Sequence, residues 1–299
     1  MKKHLKKIAI GLISLAVLGY GGICAYFGLG QRKMIYFPWG CGQTSDYPAK
    51  VPTDLGIDYE EVWLRENESD RIHAWWVPND LKQQKPSKVI IYFHGNGGNL
   101  SEYVYVTERL HKAGFSVLII NYRGYGCSGG DFPQEANIYE DAQTALNYLI
   151  EKKQIPPTDI LAYGYSLGGA VAIDLAAKNP DLGGLVVEGG FTSMLDMASF
   201  NAPSWIPINL LLTERFDSIA KIPNLDMPVL FFHGTEDEII PTYMSEKLYE
   251  VAPEPKALVL VPNADHGNTA ELAGSKYAQE IWELVERSQV IDMSVKQNP

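Results

Sequence analysis

The sequence predicts an α/β domain: a mostly parallel sheet with helices on both faces and a short cap, preceded by one membrane helix. Three observations carry this. From Val89 onward short apolar runs alternate with amphipathic stretches, the pattern of a parallel sheet covered on both sides. Gly164-Tyr165-Ser166-Leu167-Gly168 stands between one such run and a helix-like stretch. Finally, Ile8 to Gly30 is 23 residues without a charge.

The charge-free run follows Lys2, Lys3, Lys6 and Lys7. At helical rise it spans about 34 Å, enough for a bilayer core. It is long for a signal peptide and lacks an A-x-A pair at its end, so a retained anchor is expected rather than a cleaved leader. Four lysines before the span outweigh Arg32 and Lys33 after it. That bias puts the N-terminus in the cytoplasm and the remaining chain across the membrane, in a periplasm or lumen.

Residues 31–55 read as a connecting segment, because Met34 to Pro52 is rich in Gly, Pro and aromatics. Tyr59 to Leu64 and Ile72 to Val77 read as a strand pair around the turn Asn67 to Asp70, and Asp80 to Ser87 as a polar loop. Buried strands are expected at Val89 to Phe93, Phe115 to Asn121, Ile160 to Tyr163, Leu185 to Glu188, Val229 to His233 and Ala257 to Val261. Helices are expected at Ser101 to Lys112, Ala136 to Lys152, Ala170 to Asn179, Thr242 to Val251 and Thr269 to Ser288. Residues 56–290 then form one domain, with 291–299 a tail. The interval 190–226 has no clear strand and sits where a strand ends, well placed to roof a site. Trp205 to Leu212 within it reads first as packing the cap onto the sheet, with membrane contact as the other reading.

Composition narrows the function. The 299 residues are 46% hydrophobic, enough for a sizeable core. A net charge of −11 excludes nucleic acid as an expected partner, since phosphate binding needs a basic face. His94-Gly95-Asn96-Gly97-Gly98-Asn99 is glycine-rich, yet no G-K-[ST] follows and no G-x-G-x-x-G occurs, so a nucleotide role is not expected. Of three cysteines, Cys24 lies in the apolar run; Cys41 and Cys127 could form the one bridge but read as free thiols.

The pentapeptide around Ser166 is a weak signal alone, but its context is that of a nucleophile elbow, a strained turn lifting the hydroxyl off the sheet. A serine needs a base, and in this architecture the chain order is serine, acid, histidine. Only His233 and His266 follow Ser166. His233 closes a strand, whereas His266 lies in the loop after the last strand, so His266 is the expected base. The acid should follow the preceding strand, in Gly234-Thr235-Glu236-Asp237-Glu238-Ile239-Ile240-Pro241. Asp237 is preferred because the apolar residues after it turn its side chain inward and leave Glu236 and Glu238 to solvent. Asp265 neighbours His266 too closely in sequence. Backbone N–H groups of Leu167 and Asn96 are the expected oxyanion donors, with Gly97 the alternative to Asn96.

These segments resemble the α/β-hydrolase superfamily, and within it the membrane-anchored Bem46-like group, similar to the animal α/β-hydrolase-domain proteins of types 13 and 17. The matching stretches are Phe93 to Asn99, Asn121-Tyr122-Arg123-Gly124-Tyr125-Gly126, Gly164 to Gly169, His233-Gly234 with Asp237, and His266-Gly267-Asn268-Thr269. The chain departs from the pattern in its more acidic Glu236-Asp237-Glu238 and in Asn268. The resemblance implies cofactor-free hydrolysis of esters, thioesters or peptide bonds. Arg123 reads as a partner of a structural carboxylate rather than of substrate. The expected function is hydrolysis of small-molecule or lipid-like acyl esters or thioesters; an aminopeptidase and a non-catalytic membrane scaffold are the alternatives. An aminopeptidase would hold a free amine with acids in the cap, where Asp196, Glu214 and Asp217 are the candidates.

Overall fold

The computed structural model describes residues 2–45, 48–65, 67, 69–79 and 88–297, so the polar loop expected over Asp80 to Ser87 lies outside the described residues. Eight strands form one sheet: β1 Glu60–Leu64, β2 Ile72–Val77, β3 Val89–Phe93, β4 Ser116–Ile120, β5 Ile160–Tyr165, β6 Gly184–Glu188, β7 Val229–Gly234 and β8 Lys256–Val261. Their spatial order is β8-β7-β6-β5-β3-β4-β2-β1. Pairings from β8 through β4 are parallel, and β2 is antiparallel to both neighbours. The helices are α1 Lys2–Ile35, α2 Val104–Lys112, α3 Glu135–Glu151, α4 Leu167–Lys178, α5 Met194–Asn201, α6 Ile208–Leu211, α7 Ser218–Lys221, α8 Tyr243–Val251, α9 Thr269–Ala273 and α10 Ser275–Gln297.

The central strands read as unbroken apolar runs because both faces are covered. In β3, Val89, Ile91 and Phe93 join one core with α3 and α4, whereas Ile90 and Tyr92 join a second core with α2 and α10. Such side chains contribute about 1.5–3 kcal/mol each on full burial. Edge strand β1 instead buries Val62 and Leu64 and exposes the residues between and before them.

Three features differ from the sequence expectation. The closing helix is two helices, broken where Gly274 takes φ 57°, and the second runs on through most of the expected tail to Gln297. The connecting segment is laced into the domain: α1 continues to Ile35, Phe37–Pro38 pairs in parallel with Gly97–Gly98, and Gly40 bridges Gly126. That lacing corrects the reading of Cys41 and Cys127 as free. The two lie 86 residues apart in sequence, yet their Cα atoms are 4.4 Å apart and they form a disulfide.

Candidate active site

The turn from β5 into α4 leaves no room for side chains. A Cβ on Gly164 would overlap the Gly168 backbone, and one on Gly168 would overlap the Phe93 carbonyl. Between them Ser166 takes φ 55°, a left-handed value rare for a residue with a side chain. Its N–H donates to the Glu188 carbonyl at 2.8 Å, which ties the strained residue to the end of β6. Helix α4 begins at Leu167, three residues earlier than the periodicity suggests.

Two loops bring the expected partners to this serine. His266, after β8, sets Nε2 3.0 Å from Ser166 Oγ and Nδ1 2.7 Å from Asp237 Oδ2. Asp237, after β7, accepts backbone N–H bonds from Ile239 at 2.9 Å and Ile240 at 2.8 Å on its other oxygen. Its side chain is buried while Glu236 and Glu238 are exposed. Burial alone would raise its pKa, but bonds from His233, His266 and the Ile240 N–H outweigh that and hold the carboxyl well below the usual range. The ring of His266 lies against the backbone of Gly189, where a Cβ would come within 3.1 Å of Cε1. Tyr165 steadies the same loop by donating to the His266 carbonyl at 3.0 Å.

The other histidine is not idle. His233 is fully buried, bonds the Ile240 carbonyl through Nε2 at 2.9 Å and the Ser245 hydroxyl through Nδ1 at 2.6 Å, and sits 3.2 Å from Asp237 Oδ2. It braces the carboxylate from behind. Asp265 points elsewhere, accepting from the N–H groups of Gly267 and Asn268, while its own N–H donates to Asn268 Oδ1. Arg123 is paired with Asp141 and Glu140 beside α3, as a structural arginine would be.

Leu167 N–H is the first of α4, a donor without an intrahelical acceptor. Asn96 is held opposite: its carbonyl accepts from Phe37 N–H and the Tyr125 hydroxyl, both at 2.8 Å, and its side-chain amide donates to the Ile35 carbonyl at 3.1 Å. The end of α1 therefore supports the loop facing Ser166. His94 in that loop donates to the Gly95 carbonyl at 2.7 Å and lies among Tyr103, Tyr122 and Tyr125.

Ser166, His266, Asn96 and Leu167 open onto a cavity of about 590 Å³. Its walls are largely apolar, including Phe191, Met197 and Leu212 from the cap side. Phe27 and Gln31 of α1 complete it, a contribution the sequence reading missed. Gln31, polar at the end of an apolar run, was the available signal. Its amide accepts from the N–H groups of Thr213 at 2.7 Å and Glu214 at 3.1 Å and donates to the Leu211 carbonyl at 3.1 Å. No Asp or Glu lines the cavity among the described residues.

Comparison with known proteins places this geometry in context. A family described as serine aminopeptidase, S33, matches residues 84–216. Protein bem46 of Schizosaccharomyces pombe is 32% identical over 94% of this chain and 93% of its own length. The α/β-hydrolase domain-containing protein WAV2 of Arabidopsis thaliana is 31% identical over 92% of this chain and 95% of its own. An uncharacterized membrane protein of Saccharomyces cerevisiae, YNL320W, is 28% identical over 87% and 89%. Among solved structures, the Pyrococcus furiosus esterase Pf2001 matches with a TM-score of 0.66 at 20% identity, over 84% of this chain and 98% of that one. At that identity the likeness shows the fold alone.

Proposed function

The chain belongs to the Bem46-like α/β-hydrolases, and from that premise we propose that it is a serine hydrolase cleaving carboxylic ester or thioester bonds through an acyl-enzyme. The observation that carries the reading is the hydrogen-bonded chain from Ser166 Oγ through His266 to Asp237 at the mouth of an apolar cavity.

His266 Nε2 takes the hydroxyl proton as Ser166 Oγ attacks the acyl carbonyl. The resulting oxyanion meets the N–H groups of Leu167 and Asn96. Collapse breaks the bond to the leaving alkoxide or thiolate, which receives the proton from His266. Water then attacks the acyl-serine with His266 again as base, and the carboxylic acid departs. Asp237 keeps Nδ1 protonated and offsets the charge of the imidazolium between these steps.

The family description favours a second reading, an aminopeptidase. Recognition of a free amine needs carboxylates at the pocket, and the cap acids are engaged or turned away. Glu214 accepts from the Tyr36 hydroxyl and the Glu135 N–H, Asp196 accepts from the Thr192 hydroxyl, and Asp217 is exposed. The acyl-ester reading is therefore preferred, with lipid-like acyl groups suited to the apolar walls. We further propose that α1, long and apolar enough to cross a membrane, anchors the domain on the far side from the lysine-rich N-terminus.

A fluorophosphonate probe should label the wild type, and Ser166→Ala should lose the label. His266→Ala should lower nitrophenyl ester turnover by about three orders of magnitude or more. Retained labelling of Ser166→Ala, or cleavage of aminoacyl amides in preference to esters, would overturn the assignment.

A further inference from the structure

The cap does not stop at the end of the anchor but follows it upward. Gln31 bonds the Leu211 carbonyl, Gly28 packs so near Leu211 that a Cβ there would touch its side chain at 3.8 Å, and the Tyr20 hydroxyl donates to the Trp205 carbonyl at 3.0 Å. The rings of Tyr20 and Trp205 are 6.1 Å apart. From Tyr20 to Gln31 the contact runs about 16 Å along the helix axis.

Those contacts fix the depth of the cap in a membrane. Charges at Lys7 and Arg32 confine the bilayer core to residues 8–31. A core of about 30 Å needs about 20 helical residues. Every 20-residue window in that interval contains Tyr20. Its far edge falls between Phe27 and Gln31, so Tyr20 lies roughly 10–17 Å inside the core face. Trp205, bonded to Tyr20, goes with it.

The cap is built for that position. Residues 197–212 contain no charged side chain, in a protein that is 20% charged overall. Among the side chains it turns outward, uncharged Ser199, Asn201, Ser204 and Asn209 accompany three large apolar ones: Phe200 is 56% exposed, Trp205 55% and Leu210 79%. In water these would form a costly patch; beside a membrane-spanning helix they have a solvent. The same segment and the same helix turns wall the cavity, through Phe27, Met197 and Leu211.

We propose that the cap, from Met197 to Leu212, is immersed in the leaflet against α1, so that the cavity opens to the bilayer and receives the acyl chain of a bilayer lipid ester by lateral entry. The proposal rests on the serine-hydrolase reading for its chemistry and on α1 spanning the membrane for its depth. The carbonyl would reach Ser166 with its chain still among Phe27, Met197 and Leu211, and only the product head group would leave to water.

The test uses the full-length protein in phosphatidylcholine vesicles. Trp205→Glu and Leu210→Glu alter outward side chains that do not line the cavity. Each should slow hydrolysis of vesicle-borne methylumbelliferyl oleate by about tenfold or more, because a charge at that depth is expelled. Hydrolysis of water-soluble nitrophenyl butyrate should stay within about twofold of wild type, since the cavity itself is untouched. Equal loss on both esters, or no loss on the oleate, would overturn lateral entry. A second measurement needs no catalysis. Lipids brominated along the acyl chain should quench more fluorescence in the wild type than in Trp205→Phe, and equal quenching would overturn the immersion of the cap. If the wild type hydrolyses neither ester while Trp205 is quenched, the hydrolase reading fails and the docking stands.

Discussion

His94 shows how a single side chain can carry the acid response of the fold without touching substrate. Burial among Tyr103, Tyr122 and Tyr125 pushes its imidazole down to about 4, because an imidazolium there would lose its hydration. The unfolded chain takes up that proton near pH 6.5, whereas the folded one refuses it until about pH 4. Stability is thus complete above pH 6.5, falls as the pH drops through this window, and loses nothing more from this group below it. The full loss is roughly 3 kcal/mol. His73, also lowered by burial, acts in the same direction. His94→Asn keeps a donor for the Gly95 carbonyl and removes the titration. Urea unfolding at pH 7 and pH 5 should show a smaller pH dependence in the variant than in wild type; an unchanged difference would remove His94 from the account. The candidate site was legible at this scale where one residue's chemistry was unambiguous. Chain order removes the four histidines before Ser166, the loop after the last strand singles out His266 over His233, and the buried Asp237 between exposed Glu236 and Glu238 follows from its flanking sequence. The bracing of Asp237 by His233 was not legible, since it depends on a strand end and the next loop folding back on each other.

At the scale of elements, the pattern located all eight main-sheet strands: the central parallel ones are apolar on both faces and announce themselves, and the antiparallel pair β1 and β2 was marked by the turn between its strands. The break at Gly274 and the two-residue pairing of Phe37–Pro38 with Gly97–Gly98 were hidden for opposite reasons. The first sits in a pattern that continues on either side, and the second is too short to have a period. The junction of β5 and α4 is where element packing is tightest, and a methyl group tests it. In Gly168→Ala the added carbon meets the Phe93 and His94 carbonyls, backbone atoms that cannot rotate away. Strand β3 and helix α4 must then separate, at a cost of roughly 3 kcal/mol or more. The variant should show a clearly lower Tm and reduced fluorophosphonate labelling of Ser166. A Tm within a degree of wild type would mean that the turn has slack the geometry does not reveal.

Across the whole molecule, the piece read as connector and the second half of the piece read as anchor pack onto the domain that carries the candidate site. Helix α1 supplies Phe27 and Gln31 to the cavity and its last carbonyl to Asn96, and the chain after it is pinned to the site's loops by Cys41–Cys127. A truncation beginning at Arg32 would remove Gln31 and with it the bonds to Thr213 and Glu214, so a shortened protein must keep the helix from about Tyr20 to retain the cap. The disulfide also bears on compartment. Such bonds persist where the surroundings oxidise thiols, which agrees with the far-side placement argued from the lysines before the span. Closing a loop of 86 residues restrains the unfolded chain, and bridges of that kind contribute about 2–4 kcal/mol. Cys41→Ser should therefore lower the Tm by several degrees, and a reducing agent should lower the wild type to nearly the same value while leaving the variant unmoved. Since Gly40 and Gly126 stay bridged and the proposed triad residues lie elsewhere, ester turnover at low temperature should change little. A wild type whose Tm ignores the reductant, with two thiols titrated besides Cys24 in the denatured protein, would show that the bridge does not form and would withdraw its support for an oxidising compartment.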